Sequence, residues 1–117
     1  MIKTADILIR NAQEHIECID ASTARKIHDE NPEAVILDVR EAETARESKL
    51  ADSVNIPRGL IEMQLPNLHE NPDTLIMIHC GGGGRASLAA YTLKQMGYQN
   101  VRAIAAPYDT IKAAFDH

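Results

Sequence analysis

Cys80 is the residue of this chain best placed to act as a nucleophile. It follows the apolar run Thr74-Leu75-Ile76-Met77-Ile78 and His79, and it precedes Gly81, Gly82, Gly83, Gly84 and Arg85. That run holds four of the six glycines in the chain. Ala86 to Met96 then reads as a helix, with Ala86, Ala89, Ala90, Leu93 and Met96 on one stripe. The order is therefore buried strand, cysteine, glycine loop, arginine, helix. In open α/β sheets, ligands bind beyond the carboxyl ends of the strands. A glycine run can curl with its N–H groups turned inward, and a helix N-terminus adds its positive end, so together they form an anion-binding nest. A thiol in such a setting is held as thiolate. Arg85 adds a fixed charge and a bidentate fork. Cys80 is the predicted nucleophile, and Gly81, Gly82, Gly83, Gly84 and Arg85 are the predicted binding groups for sulfur and an anionic partner. The plain alternative is a flexible loop beside an inert, buried thiol, which requires all five features to coincide by accident.

Other residues carry weaker signals. Gly81-x-Gly83-x-x-Ala86 matches a dinucleotide fingerprint in form, but that motif needs an acidic residue about 20 positions on. The chain there reads Val101-Arg102-Ala103-Ile104-Ala105-Ala106, so the match is rejected. Asp38 and Arg40 follow a strand and are expected to fix neighbouring backbone groups. Arg58 is either a solvated surface charge or a second anion-binding group in the cleft. His79 alternates with Ile78 and is expected to pack. Cys18 is expected to be a partly buried free thiol; a resolving role would need it within disulfide reach of Cys80.

The elements that must position these residues can be read along the chain. Thr4 to Ile16 is helical in pattern, and Asp20 or Ser22 caps a second helix ending near Glu30 at Asn31-Pro32. Ala34 to Leu37, Ser53 to Ile56, Thr74 to Ile78 and Val101 to Ile104 read as short strands, mostly of the continuous apolar kind found in parallel sheets. Glu41 to Lys49, Leu60 to Leu68 (with a break possible at Pro66) and Tyr108 to Phe115 read as helices, and Gly97 is a helix-ending glycine. Strands separated by helices imply an α/β sandwich with a mainly parallel sheet.

Composition narrows the function. At 117 residues the chain is the length of one domain. Twelve basic and 17 acidic residues leave a net charge of −5, which repels phosphate backbones, and Tyr91, Tyr98, Tyr108 and Phe115 are too few for a base-stacking platform. Nucleic acid is excluded as a partner, and no apolar run approaches the roughly 20 residues of a membrane span. Two cysteines cannot make a disulfide framework or a four-thiolate zinc site. The first residues lack the apolar core and cleavage site of an export signal, so a cytoplasmic location is expected.

Several segments together resemble the rhodanese-like sulfurtransferases. Cys80-x-x-x-x-Arg85 is similar to their active loop, Val35-Ile36-Leu37-Asp38-Val39-Arg40-Glu41 to their "LDVRE" segment, Ser53-Val54-Asn55-Ile56-Pro57 to "A-hydrophobic-N-I-P", and Gly97-Tyr98-Gln99-Asn100-Val101 to "G-F/Y-x-N-V". Arg58-Gly59 resembles a bacterial subgroup with "IPRG". The resemblance spans roughly Ile19 to Phe115 and departs at Ser48 to Ser53, where the family has "GHIPGA". It departs again at Ala105-Ala106-Pro107-Tyr108, where the family has Gly-Gly. It implies a three-layer sandwich with a mainly parallel five-stranded sheet, an N-terminal helical extension over 1–17, and a domain over 18–117. It also implies sulfane-sulfur transfer through a Cys80 persulfide, from thiosulfate, polysulfide or a persulfide to cyanide, a small thiol or a protein thiol. No metal or organic cofactor is implied. A non-catalytic persulfide carrier or regulatory domain is the alternative. A cysteine phosphatase or arsenate reductase is third, because phosphatase loops carry one more residue between Cys and Arg.

Overall fold

The continuous apolar runs become strands covered on both sides. A computed structural model of the chain describes residues 1–116; His117, the last residue of the predicted domain, lies outside them. Five strands, β1 (Glu17–Ile19), β2 (Val35–Asp38), β3 (Ser53–Asn55), β4 (Ile76–His79) and β5 (Val101–Ile104), form one sheet in the order β1-β5-β4-β2-β3. Every pairing is parallel. β2 and β4 occupy the middle, and all their residues are buried. Side chains alternate across each strand. Val35, Leu37, Ile76, Ile78 and Cys80 enter one core with Ile61, Leu65 and Leu93. Ile36 and Met77 enter the other with Ala24, Ile104 and Ile111.

The helices are α1 (Ala5–Gln13), α2 (Ala21–Glu30), α3 (Ala42–Glu47), α4 (Ile61–Leu68), α5 (Gly84–Met96) and α6 (Tyr108–Phe115). α4 and α5 cover the first face, with α1 packed on α5; α2 and α6 cover the second. Thr4 and Asp20 cap α1 and α2 through side-chain oxygens.

The residue patterns agree with these elements except in two places. The helix expected to reach Ile16 stops at Gln13, and Glu17–Ile19 is instead the edge strand β1. Three residues cannot show a period, and β1 is held by pairing with β5, 85 positions away at Glu17↔Arg102. Pro66 lies inside α4 without breaking it, close to the helix end.

A buried ion pair ties off the carboxyl end of the sheet. The Arg40 guanidinium donates to both Asp38 oxygens, from Nε at 3.0 Å and from Nη2 at 2.8 Å, and the Arg40 amide donates to Oδ1 at 3.0 Å. Asp38 is fully buried and Arg40 is 4% exposed. Asn55 on β3 donates to the carbonyls of both Asp38 and Arg40 at 3.0 Å. Removing one partner of such a pair strands the other charge in the core, at about 3–5 kcal/mol. Asp38→Ala is therefore expected to lower unfolding stability by about that amount, measured by urea denaturation followed by circular dichroism. A loss under about 1 kcal/mol would mean the pair behaves like an exposed one.

Candidate functional site

Cys80 is 1% exposed at the carboxyl end of β4. The chain turns at once into α5, and Gly83 precedes that helix at φ +100°. Any other L residue is strained there, and a Cβ would stand 3.4 Å from Ala105 Cα. Gly83 has no side chain to satisfy the first-turn N–H groups of α5. Cys80 does that from the preceding strand. Its Sγ accepts the Gly83 N–H at 3.0 Å and the Ala86 N–H at 3.4 Å. The sulfur therefore acts as the cap of α5, at the N-terminal end of that helix.

The predicted binding residues are placed unequally. Gly83 is the one glycine of the run that donates to Sγ among the described residues; the second donor is Ala86, which residue type alone could not single out. The Gly81 carbonyl faces away and accepts the Tyr108 N–H at 3.0 Å. Gly82 is exposed, with open space where a Cβ would stand. Gly84 opens α5. Arg85 is exposed, and its Nη2 lies 3.6 Å from the Cβ position of Gly81, so the fork folds over the start of the loop. Arg58 is engaged elsewhere: Nη1 lies 3.3 Å from both Glu62 oxygens, and Nη2 donates to Thr92 Oγ1 at 2.9 Å.

A second group of side chains sits behind the loop, on the opposite face of the sheet. The His79 ring is fully buried and stacks on Tyr108 at 5.8 Å between centroids. The Arg40 guanidinium lies 3.9 Å from the same Tyr108 ring, and the Tyr108 hydroxyl pairs with Ser48 Oγ at 2.8 Å. His79 Nε2 is 4.0 Å from Asp38 Oδ2. Burial pushes the His79 pKa below the usual imidazole value, against the pull of Asp38, so the ring is neutral. Tyr108 was legible only as the start of a helix. Its position between Arg40 and His79, with its amide on Gly81, required the tertiary fold.

Cys18 is an exposed free thiol on β1. It shares a row with Ala103 on β5 and Ile78 on β4. Two strand spacings put its Cα roughly 10 Å from that of Ile78, with Cys80 two residues further along. A disulfide needs Cα atoms within about 7 Å, so Cys18 cannot pair with Cys80 without movement of the backbone. Burial raises the Cys18 thiol pKa, and the nearby Ser87 hydroxyl partly offsets this.

Residues 20–114 match the family described as "Rhodanese-like domain". The chain belongs to the rhodanese-like domain family. A segment of 66 residues is 39% identical to the Bacillus subtilis (strain 168) protein named "Putative sulfur carrier protein YrkF", covering 56% of this chain and 35% of that one. The chain thus matches about a third of the length of that curated relative. A Rhodopseudomonas palustris structure of a protein of unknown function, RPA3614, named "Possible Tyrosine Phosphatase", superposes with a TM-score of 0.82 at 26% identity, covering 97% of this chain and 92% of that one. The polysulfide-sulfur transferase homodimer of Wolinella succinogenes superposes with a TM-score of 0.73 at 19% identity over 89% of this chain and 78% of that one, a likeness of fold. Within the rhodanese-like fold, the chain keeps its cysteine loop at the carboxyl end of the central strand β4.

The neutral His79 carries a pH consequence. Its folded pKa lies below the unfolded value of about 6.5, so the unfolded chain binds the extra proton. Stability from this residue is complete above that value and declines as pH falls below it. His79→Leu is expected to flatten the dependence of melting temperature on pH between about 6.5 and 5, read by thermal denaturation at fixed ionic strength. An unchanged slope would remove His79 from the acid sensitivity of the fold.

Proposed function

We propose that the chain is a sulfurtransferase in which Cys80 carries sulfane sulfur as a persulfide. The Cys80 thiolate attacks the outer sulfur of thiosulfate, a polysulfide or a persulfide. The new bond is Sγ–S; the donor's S–S bond breaks, and its electron pair leaves with sulfite or the donor's remaining thiolate. An acceptor, either cyanide or a thiolate, then attacks the outer sulfur and returns Cys80 as thiolate. This is covalent catalysis in two displacements. The observation that carries the reading is the capped sulfur: the Gly83 and Ala86 N–H groups both point at Sγ at the start of α5. Arg85, folded over Gly81, supplies positive charge for an anionic donor. No metal or organic cofactor enters this scheme. A cytoplasmic setting would keep Cys18 and Cys80 reduced.

The YrkF relative favours a second reading, a persulfide carrier that delivers to a partner protein. Turnover separates the two, because a carrier loads once and does not cycle with small acceptors. The name of the Rhodopseudomonas protein raises phosphate hydrolysis. Loop size argues against it here: with four residues between Cys80 and Arg85, two N–H groups reach the sulfur, whereas a phosphoryl group brings three oxygens that each want donors.

Incubation with thiosulfate or polysulfide is expected to add the mass of one sulfur atom at Cys80. Cys80→Ser should abolish both this gain and thiocyanate formation, while Cys18→Ser keeps them near the wild-type rate. Sulfur transfer by Cys80→Ser would refute the assignment. One glycine inserted between Gly82 and Gly83 is expected to weaken persulfide formation by drawing the Gly83 N–H off Sγ. Efficient aryl-phosphate hydrolysis by the unaltered protein would overturn the reading in favour of a phosphatase.

A further inference from the structure

Helix α1 lies outside residues 20–114, the stretch that matches the family, yet it is built against the Cys80 loop. A Cβ at Gly84 would stand 2.8 Å from Ile9 Cδ1, so the Ile9 side chain occupies the space a larger residue would need. Gly84 does not have a positive φ, so its missing side chain serves the approach of α1. One turn after Ile9, at the last residue of α1, Gln13 Nε2 donates to Ser87 Oγ at 3.2 Å. Ser87 is fully buried, and its hydroxyl donates to the Gly83 carbonyl at 2.8 Å. The same carbonyl accepts the Ser87 N–H at 3.0 Å. Gly83 in turn presents its own N–H to Cys80 Sγ. One hydrogen-bonded chain therefore runs from Gln13 through Ser87 and Gly83 to the sulfur.

A run of glycines has more backbone freedom to lose than any other sequence, so its N–H groups stay aimed only if other groups hold the peptides. The Gly81 carbonyl is held by Tyr108, and the Gly83 carbonyl by Ser87. A serine hydroxyl can rotate. Accepting from Gln13 engages one of its two lone pairs and polarises its O–H toward Gly83, since linked hydrogen bonds strengthen one another; the Cys18 thiol lies beside the same hydroxyl.

We propose that Gln13 and Ser87 are positioning residues for the sulfur-binding loop, and that α1, seated through Ile9 on Gly84, is the strap that keeps them in place. The N-terminal segment is then part of the working site. This rests on the reading of Cys80 as the nucleophile, and the test separates the two. Cys80 is alkylated with iodoacetamide across pH in a Cys18→Ala background, which removes the second thiol and its contact with Ser87 and serves as the parent for every variant, and sulfur uptake is measured alongside. Ser87→Ala is expected to move the midpoint of the alkylation profile up by about one pH unit, which is about tenfold less thiolate below the midpoint. Gln13→Ala and Ile9→Ala should move it less, in the same direction. Gln13→Ala combined with Ser87→Ala should match Ser87→Ala alone, because the two act in one chain. Arg10→Ala, on the exposed side of α1, should leave the profile in place. Profiles of folded Gln13→Ala and Ser87→Ala that coincide with the parent would overturn the strap; if Ser87→Ala does not fold, Gln13→Ala decides. A parent profile identical to that of cysteine in an unstructured peptide would instead overturn the nucleophile reading.

Discussion

The site depends on one constraint: helix α5 begins without a capping side chain of its own, and the sulfur of the preceding strand takes that place. First-turn N–H groups must find an acceptor or face a desolvation cost. Gly83 has none to offer, so Cys80 Sγ receives the donors. The same geometry that completes the helix brings two N–H donors onto the Cys80 sulfur. On the proposed function, stability of the strand–loop–helix turn and reactivity of the thiol are set by the same hydrogen bonds.

The rest of the structure keeps that turn from relaxing. On one face, Ala86, Ala89, Ala90 and Leu93 bury α5 against β2, β4 and β5, which fixes the helix axis relative to the strand. On the other, the Asp38–Arg40 pair, Tyr108 and His79 fill the end of the sheet with groups that satisfy or stack on one another. Tyr108 joins the two sides, because its ring belongs to this cluster while its amide holds the Gly81 carbonyl. A buried ionic cluster gives little net stability but strongly penalises alternative arrangements that would leave a charge unpaired. That suits a position next to a glycine run, where many backbone shapes would otherwise compete.

Membership of the rhodanese-like family leaves the acceptor open. The relatives bear names that point to sulfur carriage, polysulfide-sulfur transfer and phosphate chemistry. The features that shape the loop on this scaffold are its length and what lines it. In this chain those features are the span from Cys80 to Arg85, the Ala105 backbone against Gly83, and the N-terminal helix over Gly84.

Much of this was legible in the sequence. The apolar runs at 34–37 and 75–78 specify buried parallel strands, because only strands covered on both faces are apolar at every position, and Val101 to Ile104 departs from that pattern only at Arg102, which is part-buried and pairs with Glu17 on β1. The order Cys80, four glycines, Arg85 and an apolar helix specifies a tight strand–loop–helix turn with the thiol at its start, because each residue type has a local role there. The edge strand β1 was not legible, since three residues carry no period and are held only by a distant partner. Nor were the second N–H donor on sulfur, the engagement of Arg58 by Glu62 and Thr92, the place of Tyr108, or the reach of Gln13 to Ser87. Ser87 left a faint mark as a polar residue among the alanines of α5. Local pattern determined most of the elements that form and placed Cys80 at the carboxyl end of a central strand. Which groups hold the loop in its working shape was decided by contacts 74 residues apart in the case of Gln13 and Ser87, and such pairings exist only after the sheet has brought those elements together.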